Sequence, residues 1–350
     1  MTLTLDPAAA WASYEARAAV APPPREYKHY RPLAAAARNL VHEIQSGGRI
    51  DLGIPVLDEA IRGVAPGQLM LLNGYNHSGK SLIAHHCLRW NKNRRIAMFV
   101  PDEPTTLVIA KLAAASHGLD GIKFEEDLAR NDHEAMRLLM DTAEREFPNL
   151  AVFDQTLTPA VMEEGLEEAE DVWGAKAELL VIDYVELLQA GESVQAKFDY
   201  IKSFGSRHNL PVIALHQTSR TAGADGRAMT ISSGSYGGEQ HATYVLGVRR
   251  KKMALLAERA DLRTKLATAT KDPKAVEDKL REVEHDLRIH EYTVTVNLVK
   301  NKQIGAGTVD EVDFELDTSN GRIYPLNGDL PNAYQRLRAY EPATQEGMDF

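Results

Sequence analysis

The sequence predicts an α/β fold in which a mostly parallel, twisted sheet is flanked by helices. Short and nearly continuous apolar runs, typical of strands buried on both faces, alternate with helical patterns from residue 53 onward. One of these runs leads directly into a glycine-rich loop and then into a helix. The chain has 350 residues, 44% of them hydrophobic and 26% charged, which suits one large globular domain with additions.

The predicted elements follow one another as a parallel sheet requires. The apolar runs predict strands at Gln68 to Asn73, Ile96 to Val100, Leu150 to Asp154, Leu179 to Asp183 and Pro211 to Gln217. Patterns with a 3.6-residue period predict helices at Thr105 to Ser116, Glu134 to Phe147 and Thr158 to Trp173. Two more strands and a terminal hairpin are predicted at Thr243 to Arg250, Tyr292 to Lys300, Glu311 to Leu316 and Arg322 to Pro325.

Changes in composition divide the chain into four parts. Residues 1–31 are rich in alanine and proline and predict a flexible arm, residues 32–48 predict an amphipathic helix, residues 49–330 the main domain and residues 331–350 a tail. Within the main domain, residues 253–290 form an insertion that predicts an antiparallel helical hairpin, because apolar residues recur there at four- and three-residue spacing. The hairpin is either a solvated decoration or a contact for a partner or another subunit.

Charge and cysteine content exclude several classes. The net charge of −10 argues against a surface that is basic all round. A single cysteine, Cys87, excludes an internal disulfide and a cysteine-based zinc cluster. No long apolar run and no signal pattern are present, so we expect no membrane contact and a cytoplasmic protein, in a bacterial or phage-infected cell.

The loop after the first strand has the G-x4-G-K-[ST] pattern of a phosphate-binding loop. Its residues are Gly74, Tyr75, Asn76, His77, Ser78, Gly79, Lys80 and Ser81. In such a loop, backbone N–H groups and the start of the helix point at the phosphates of ATP. We expect Lys80 to reach the β- and γ-phosphates and the Ser81 hydroxyl to bind Mg²⁺.

Acidic residues at two strand ends complete the predicted ATP site. Asp183 ends an apolar strand, which is where an open α/β sheet binds ligands, so it is the candidate that holds Mg²⁺ through water. Hydrolysis also needs a carboxylate that orients or deprotonates the attacking water. Glu103 is the first candidate and Asp102 the competitor, because both follow the strand Ile96 to Val100.

Several segments together resemble the ATPase domain of DnaB-type replicative helicases, within the RecA-like P-loop superfamily. The segments are residues 52–58 (LGIPVLD), 66–69 (PGQL), 181–187 (VIDYVEL) and 211–217 (PVIALHQ). The likeness runs from about Ile50 to Leu326 apart from the insertion, so it implies a phage-like member without the bacterial collar domain, in which residues 32–48 take the place of the linker helix. It also implies that Glu103 is the catalytic glutamate and that Gln217 senses the γ-phosphate.

Residues 299–303 resemble the basic finger that this family inserts into the ATP site of the adjacent subunit. The family usually has a lysine, one intervening residue and an arginine, whereas this chain has Lys300 and Lys302. Lysine cannot make the bidentate contact of a guanidinium. The resemblance therefore implies that Lys300 and Lys302 contact the γ-phosphate in a neighbouring subunit of a homo-oligomer, expected to be a hexameric ring.

The segment between Gln217 and Thr243 resembles the channel loops that hold single-stranded DNA in the family. The arginine common near its start is absent, so binding would depend on backbone amides and a few side chains. The candidate DNA contacts are Arg220, Arg227, Tyr236, Gly237 and Gly238.

We therefore expect an ATP-driven ring that acts on single-stranded DNA, most similar to a DnaB-like replicative helicase. One alternative is a recombinase of the same superfamily, which forms open filaments. The other is an ATP-dependent interaction or regulatory protein that does not unwind DNA and recruits partners, such as a replication protein, through the helical hairpin or the C-terminal tail.

Overall fold

Nine strands among the described residues form a single sheet in this computed structural model, which describes residues 33–45, 47–218, 240–268, 273–303 and 309–325. The strands are β1 (Leu69–Gly74), β2 (Ile96–Phe99), β3 (Leu150–Phe153), β4 (Leu179–Ile182), β5 (Val212–Gln217), β6 (Tyr244–Arg250), β7 (Thr293–Asn301), β8 (Val312–Asp317) and β9 (Arg322–Pro325). Their order is β3-β2-β4-β5-β1-β6-β7-β8-β9. Strands β1 to β6 are parallel, and β7 to β9 add an antiparallel part. The prediction of a mostly parallel α/β fold is confirmed.

The helices lie between the strands as the alternating sequence pattern predicts. They are α1 (Leu33–Gln45), α2 (Pro55–Ile61), α3 (Lys80–Trp90), α4 (Thr105–His117), α5 (Gly121–Ala129), α6 (His133–Asp141), α7 (Pro159–Trp173), α8 (Val194–Arg207), α9 (Lys251–Ala267) and α10 (Pro273–Ile289). The predicted helix Glu134 to Phe147 is in fact two elements, because α6 ends at Asp141 and a single π turn (Thr142–Glu146) follows it. A 3-10 turn (Val185–Leu187) follows β4.

Alternating side chains of the parallel strands fill a core on each face of the sheet. On β1, Met70 and Leu72 pack in the cluster that includes residues of α2, α3 and α4, whereas Leu69 and Leu71 pack in the cluster that includes residues of α7 and α8. Burial of each such side chain contributes about 1.5–3 kcal/mol. The expectation of strands buried on both faces is wrong for β3, which is only half-buried because it lies at the edge of the sheet.

Helix α1 belongs to a separate compact unit, which ends at Ser46, and Gly47 begins the unit that contains the sheet. Within α1, Leu33, Leu40 and Ile44 are exposed and no residue is buried. The predicted arm (residues 1–31) and the predicted tail lie outside the described residues, as does the rest of the chain after residue 325.

The insertion contains two helices, α9 and α10, which pack against each other beyond the end of the β6–β7 pair. Arg250 and Val294 are the last paired residues of these antiparallel strands. Leu262 and Val283 are buried in the hairpin, and Arg263 on α9 bonds to Glu284 on α10 at 3.0 Å. The hairpin therefore extends from an intact strand pair.

Candidate nucleotide-binding site

Two glycines shape the loop between β1 and α3. A Cβ added at Gly74 would lie 2.2 Å from Ser78 Oγ and 2.6 Å from the carbonyl oxygen of Val248, so no larger residue fits. Gly79 has φ 104°, in the region that favours glycine, and it lies directly before the first residue of α3. Ser78 is fully buried, and its Oγ has no hydrogen-bond partner among the described residues. A buried hydroxyl of this kind fits a site for phosphate oxygens, whereas Asn76 and His77 are exposed.

Lys80 begins α3 and folds back over the loop. Its Nζ donates hydrogen bonds to the carbonyl oxygens of Gly74, at 3.0 Å, and Tyr75, at 2.9 Å. Burial lowers the pKa of Lys80, while the nearby carboxylates of Asp183 and Glu186 act in the opposite direction. The ammonium group is thus held inside the loop, where a phosphate chain would lie.

Ser81 and Asp183, the two residues predicted to hold Mg²⁺, are in contact. Ser81 Oγ donates a hydrogen bond to Asp183 Oδ2 at 2.8 Å; Asp183 directly follows β4, and a cis peptide bond joins it to Tyr184. Burial raises the pKa of Asp183 to about 6, which the hydrogen bond from Ser81 opposes. Among the described residues, no group of three or more His, Cys, Asp or Glu side chains could hold a metal ion. One hydroxyl and one carboxylate suit Mg²⁺, which takes its other ligands from phosphates and water.

Glu103 lies in the turn after β2, close enough to Asp183 for its charge to raise the pKa of Asp183. Although two strands, β4 and β5, separate β2 from β1, this position brings Glu103 to the same edge of the sheet as the loop. Its Oε1 accepts a hydrogen bond from Lys111 Nζ of α4 at 2.5 Å. Asp102, the competing candidate, carries no such contact among the described residues. The arrangement favours Glu103 as the carboxylate that faces the ATP site.

Gln217 lies beside the phosphate loop, because β5 and β1 are neighbours and Gln217 pairs with Gly74. The next residue, Thr218, donates its N–H to the carbonyl oxygen of Gly74 at 3.1 Å. The N–H of Gln217 itself donates to Glu186 Oε1 at 2.8 Å. The end of β5 is therefore bonded to the first residue of the loop.

Lys300 and Lys302 lie at the other edge of the sheet from the loop of their own chain. Asn301, between them, pairs with Tyr244, and Tyr244 pairs with Met70 near the start of β1. Both ammonium groups approach the carbonyl oxygen of Gln240, at 3.5 Å from Lys300 and 3.2 Å from Lys302. These side chains are placed at one edge while the ATP site opens at the other.

Residues 49–283 match the family model described as the DnaB-like helicase C-terminal domain. The chain belongs to this family. As a DnaB-like helicase, it binds nucleotide and is an ATP-hydrolysing helicase of the replicative type, and DnaB-like helicases form oligomers.

Solved structures show the same fold in this family at low sequence identity. A DnaB-like helicase ATPase domain, solved by itself, is 17% identical with a TM-score of 0.62, over 85% of this chain and 100% of that one. A DnaB-like replicative helicase, studied with its interactions with primase, is 16% identical with a TM-score of 0.61, over 91% of this chain and 71% of that one. Comparison with curated proteins found no match.

Three contacts of the helicase were not predicted from the sequence. Lys111 pairs with Glu103, Glu186 accepts the N–H of Gln217, and the Tyr75 hydroxyl bonds to both backbone groups of Arg250, with its oxygen 2.9 Å from the N and 3.2 Å from the carbonyl oxygen. Only the first has a local signal, because Glu103 and Lys111 are eight residues apart around the start of α4. The others join segments distant in sequence.

Two predictions concern parts of the helicase for which the structure gives limited or no information. Every candidate DNA contact falls in residues 219–239, outside the described residues, so Arg220, Arg227, Tyr236, Gly237 and Gly238 remain predictions. Among the described helices, none has the length and apolar character needed to cross a membrane.

Proposed function

We propose that this DnaB-like helicase works as a ring of identical subunits, expected to be hexameric, that hydrolyses Mg²⁺-ATP at subunit interfaces and moves along single-stranded DNA. One observation carries the proposal. The phosphate loop, Ser81, Asp183 and Glu103 gather at one edge of the sheet, whereas Lys300 and Lys302 lie at the other. Subunits arranged head to tail would bring the two edges together, and such an arrangement closes into a ring when the rotation permits.

The residues of the phosphate-loop edge each have a task that their contacts support. The loop amides and the buried Ser78 hydroxyl would bind phosphate oxygens, and Lys80 would exchange its carbonyl contacts for the β- and γ-phosphates. Ser81 and Asp183 would hold Mg²⁺, which supplies positive charge beside the phosphates. Asp183 must be ionised for this, so we expect a requirement for a pH above about 6.

Glu103 would orient the attacking water and accept its proton as the bond to the γ-phosphorus forms. Lys111 is the described cation bonded to Glu103, at 2.5 Å. A neighbouring cation favours the ionised form of a carboxylate, so the pair keeps Glu103 able to accept a proton. Lys300 and Lys302 from the adjacent subunit would stabilise the charge on the γ-phosphate.

The segment that contains the predicted DNA contacts joins the two edges of the sheet. It begins after Thr218, which bonds to Gly74 of the phosphate loop, and it ends before Gln240, whose carbonyl oxygen accepts from Lys300 and Lys302. Gln217 would sense the γ-phosphate at the first end. A change at either ATP site next to a subunit would therefore act directly on one end of its DNA-binding segment.

The helical hairpin of α9 and α10 is our proposed docking site for a replication-protein partner, with the C-terminal tail as the other candidate. Because Arg250 pairs with Val294, the hairpin can be excised without breaking a strand pair. We expect a variant in which Asn-Gly replaces residues 252–292 to fold and to retain ATPase activity. Its loss of partner binding, with unwinding of naked forked DNA intact, would support docking; unimpaired partner binding would assign docking elsewhere.

The proposal is tested by native mass and ATPase rate with and without single-stranded DNA, followed by strand displacement on a forked duplex. We expect a closed ring, DNA-stimulated hydrolysis and unwinding. Lys80→Ala is the control, because it should lose nucleotide binding. Open filaments that exchange strands would favour the recombinase alternative. A protein whose assembly and ATPase rate ignore DNA would favour the non-unwinding alternative and contradict the proposal.

A further inference from the structure

Glu186 is an acidic residue behind the phosphate loop, and none of the roles described above uses it. It lies in the 3-10 turn three residues after Asp183. Its Oε1 accepts the N–H of Gln217 at 2.8 Å and lies 2.5 Å from Nδ1 of His216, which is completely buried. A single carboxylate oxygen thus contacts two consecutive residues at the end of β5.

The end of β5 depends on this contact because its neighbour on one side is shorter. Pairing between β4 and β5 stops at Ala214, so the last three residues of β5 extend past β4. On the other side, Gln217 pairs with Gly74. The Glu186 carboxylate supplies the acceptor for the N–H of Gln217 at the place where β4 no longer lies alongside. Gln217 is therefore fixed between the phosphate loop and Glu186.

The turn that carries Glu186 is itself held by α8. Lys197 donates a hydrogen bond to the main-chain oxygen of Glu186. The same helix reaches the residue after Gln240, since Asp199 Oδ1 lies 3.2 Å from Nδ1 of His241. Helix α8 and its turn therefore contact both flanks of the segment 219–239.

The surroundings of the Glu186 carboxylate suggest a role beyond stability. Its second oxygen, Oε2, is buried and has no hydrogen-bond partner among the described residues, and such an oxygen costs free energy in a folded protein. The carboxylate is also close enough to favour the charged form of Lys80. A carboxylate kept at this cost, between the phosphate-binding lysine and the predicted γ-phosphate sensor, suits a positioning function.

We propose that Glu186 is a positioning residue for ATP hydrolysis, which holds Gln217 toward the γ-phosphate and, together with His216, transmits the state of the nucleotide to the segment 219–239. This inference rests on the proposed role of Gln217. Glu186 acts through the main chain of Gln217 and does not touch the reacting atoms. Its loss leaves the phosphate loop intact but allows the end of β5 to move.

Three substitutions at one position separate reach from charge. Glu186→Ala lowers kcat by about tenfold to a hundredfold, with KM for ATP within about twofold of wild type, because the lost hydrogen bond involves a charged acceptor. Glu186→Gln keeps an oxygen at the same reach and recovers most of the kcat. Glu186→Asp keeps the charge but is one methylene shorter, so it behaves like the alanine variant. The matched control is Glu192→Ala, at an exposed glutamate six residues later, which leaves kcat unchanged.

A double-mutant cycle with Gln217→Ala decides whether Glu186 acts through Gln217. We expect Glu186→Ala to cause no further loss of kcat in the Gln217→Ala background, and single-stranded DNA to stimulate either single variant less than wild type. Additive losses, or equal activity of the aspartate and glutamine variants, would overturn the inference. If Gln217→Ala has the kcat of wild type, the proposed role of Gln217 fails. If only Gln217→Ala loses kcat and all Glu186 variants are normal, the inference about Glu186 fails alone.

Discussion

Replacing Lys302 with alanine should inactivate the assembled helicase while leaving the nucleotide site of the altered subunit intact. Asn301 pairs with Tyr244, which pairs with Met70, four residues before Gly74. At about 3.3 Å per residue, Lys302 lies roughly 13 Å or more along the sheet from its own phosphate loop. This separation exceeds the Debye length of about 8 Å at physiological salt, so the charge should contribute little to its own site.

The effect on the neighbouring site can be estimated from the contact that is lost. A hydrogen bond to a charged group contributes about 1.5–3 kcal/mol. If Lys302 makes it only in the transition state, kcat should fall by about tenfold to a hundredfold. Affinity for ATP should remain close to that of wild type. Lys274→Ala, at an exposed lysine of α10, is the control and should retain full activity.

Mixing experiments distinguish action in a neighbour from action within the subunit. Lys302→Ala retains its own loop, and Lys80→Ala retains the basic finger. In rings mixed at random in equal amounts, about one quarter of the interfaces combine the intact halves of both, so about one quarter of wild-type ATPase should return if interfaces act independently. Native mass spectrometry confirms that subunits have mixed. Normal turnover by Lys302→Ala alone, or no recovery in verified mixed rings, would refute the reasoning.

Three further predictions follow from the geometry of the site. Glu103→Gln should bind ATP with unchanged affinity but lower kcat by about a hundredfold or more, and normal single-turnover hydrolysis would remove Glu103 from its role. Because burial raises the pKa of Asp183 from 3.8 to about 6, the nucleotide-free protein should lose up to about 3 kcal/mol of stability as pH rises from 4 to above 6. Urea denaturation in a chelator should show Asp183→Asn more stable than wild type at pH 8 and nearly equal at pH 4, and a difference independent of pH would contradict this. Gly74→Ala should destabilise the fold by about 1–3 kcal/mol and abolish ATP binding, since its Cβ would lie 2.6 Å from a backbone oxygen; thermal denaturation beside the control Gly121→Ala measures this, and an equal melting temperature for both would contradict the clash.

The parallel part of the fold was predictable because its signals are local. Each strand buried on both faces is a short apolar run, and the first four residues of β1 (Leu69 to Leu72) are all apolar and buried in the structure. The strand, loop and helix around Gly74 to Ser81 are contiguous in the sequence, so their relative positions follow from the loop pattern. Asp183 was found for the same reason, since it directly follows an apolar strand.

Other features were not predictable because they depend on contacts distant in sequence. Glu186 reads as one more acidic residue until strand order places its turn beside the end of β5. The short helices α2, α5 and α8 were missed as well. Helix α5 has only nine residues, and its N-cap, Asp120, accepts the N–H of Lys123, a pattern that occurs equally in turns.

The helical hairpin is attached to the phosphate loop at both of its ends. Tyr75 of the loop bonds to both backbone groups of Arg250, directly before α9, and a Cβ at Gly79 would lie 3.2 Å from a methyl group of Val294, shortly after α10. If ATP changes the orientation of the hairpin, a protein that grips the hairpin must change the affinity for ATP by the same factor, because coupling between two binding sites is reciprocal. The insertion would then let an outside protein set how readily the helicase loads its fuel.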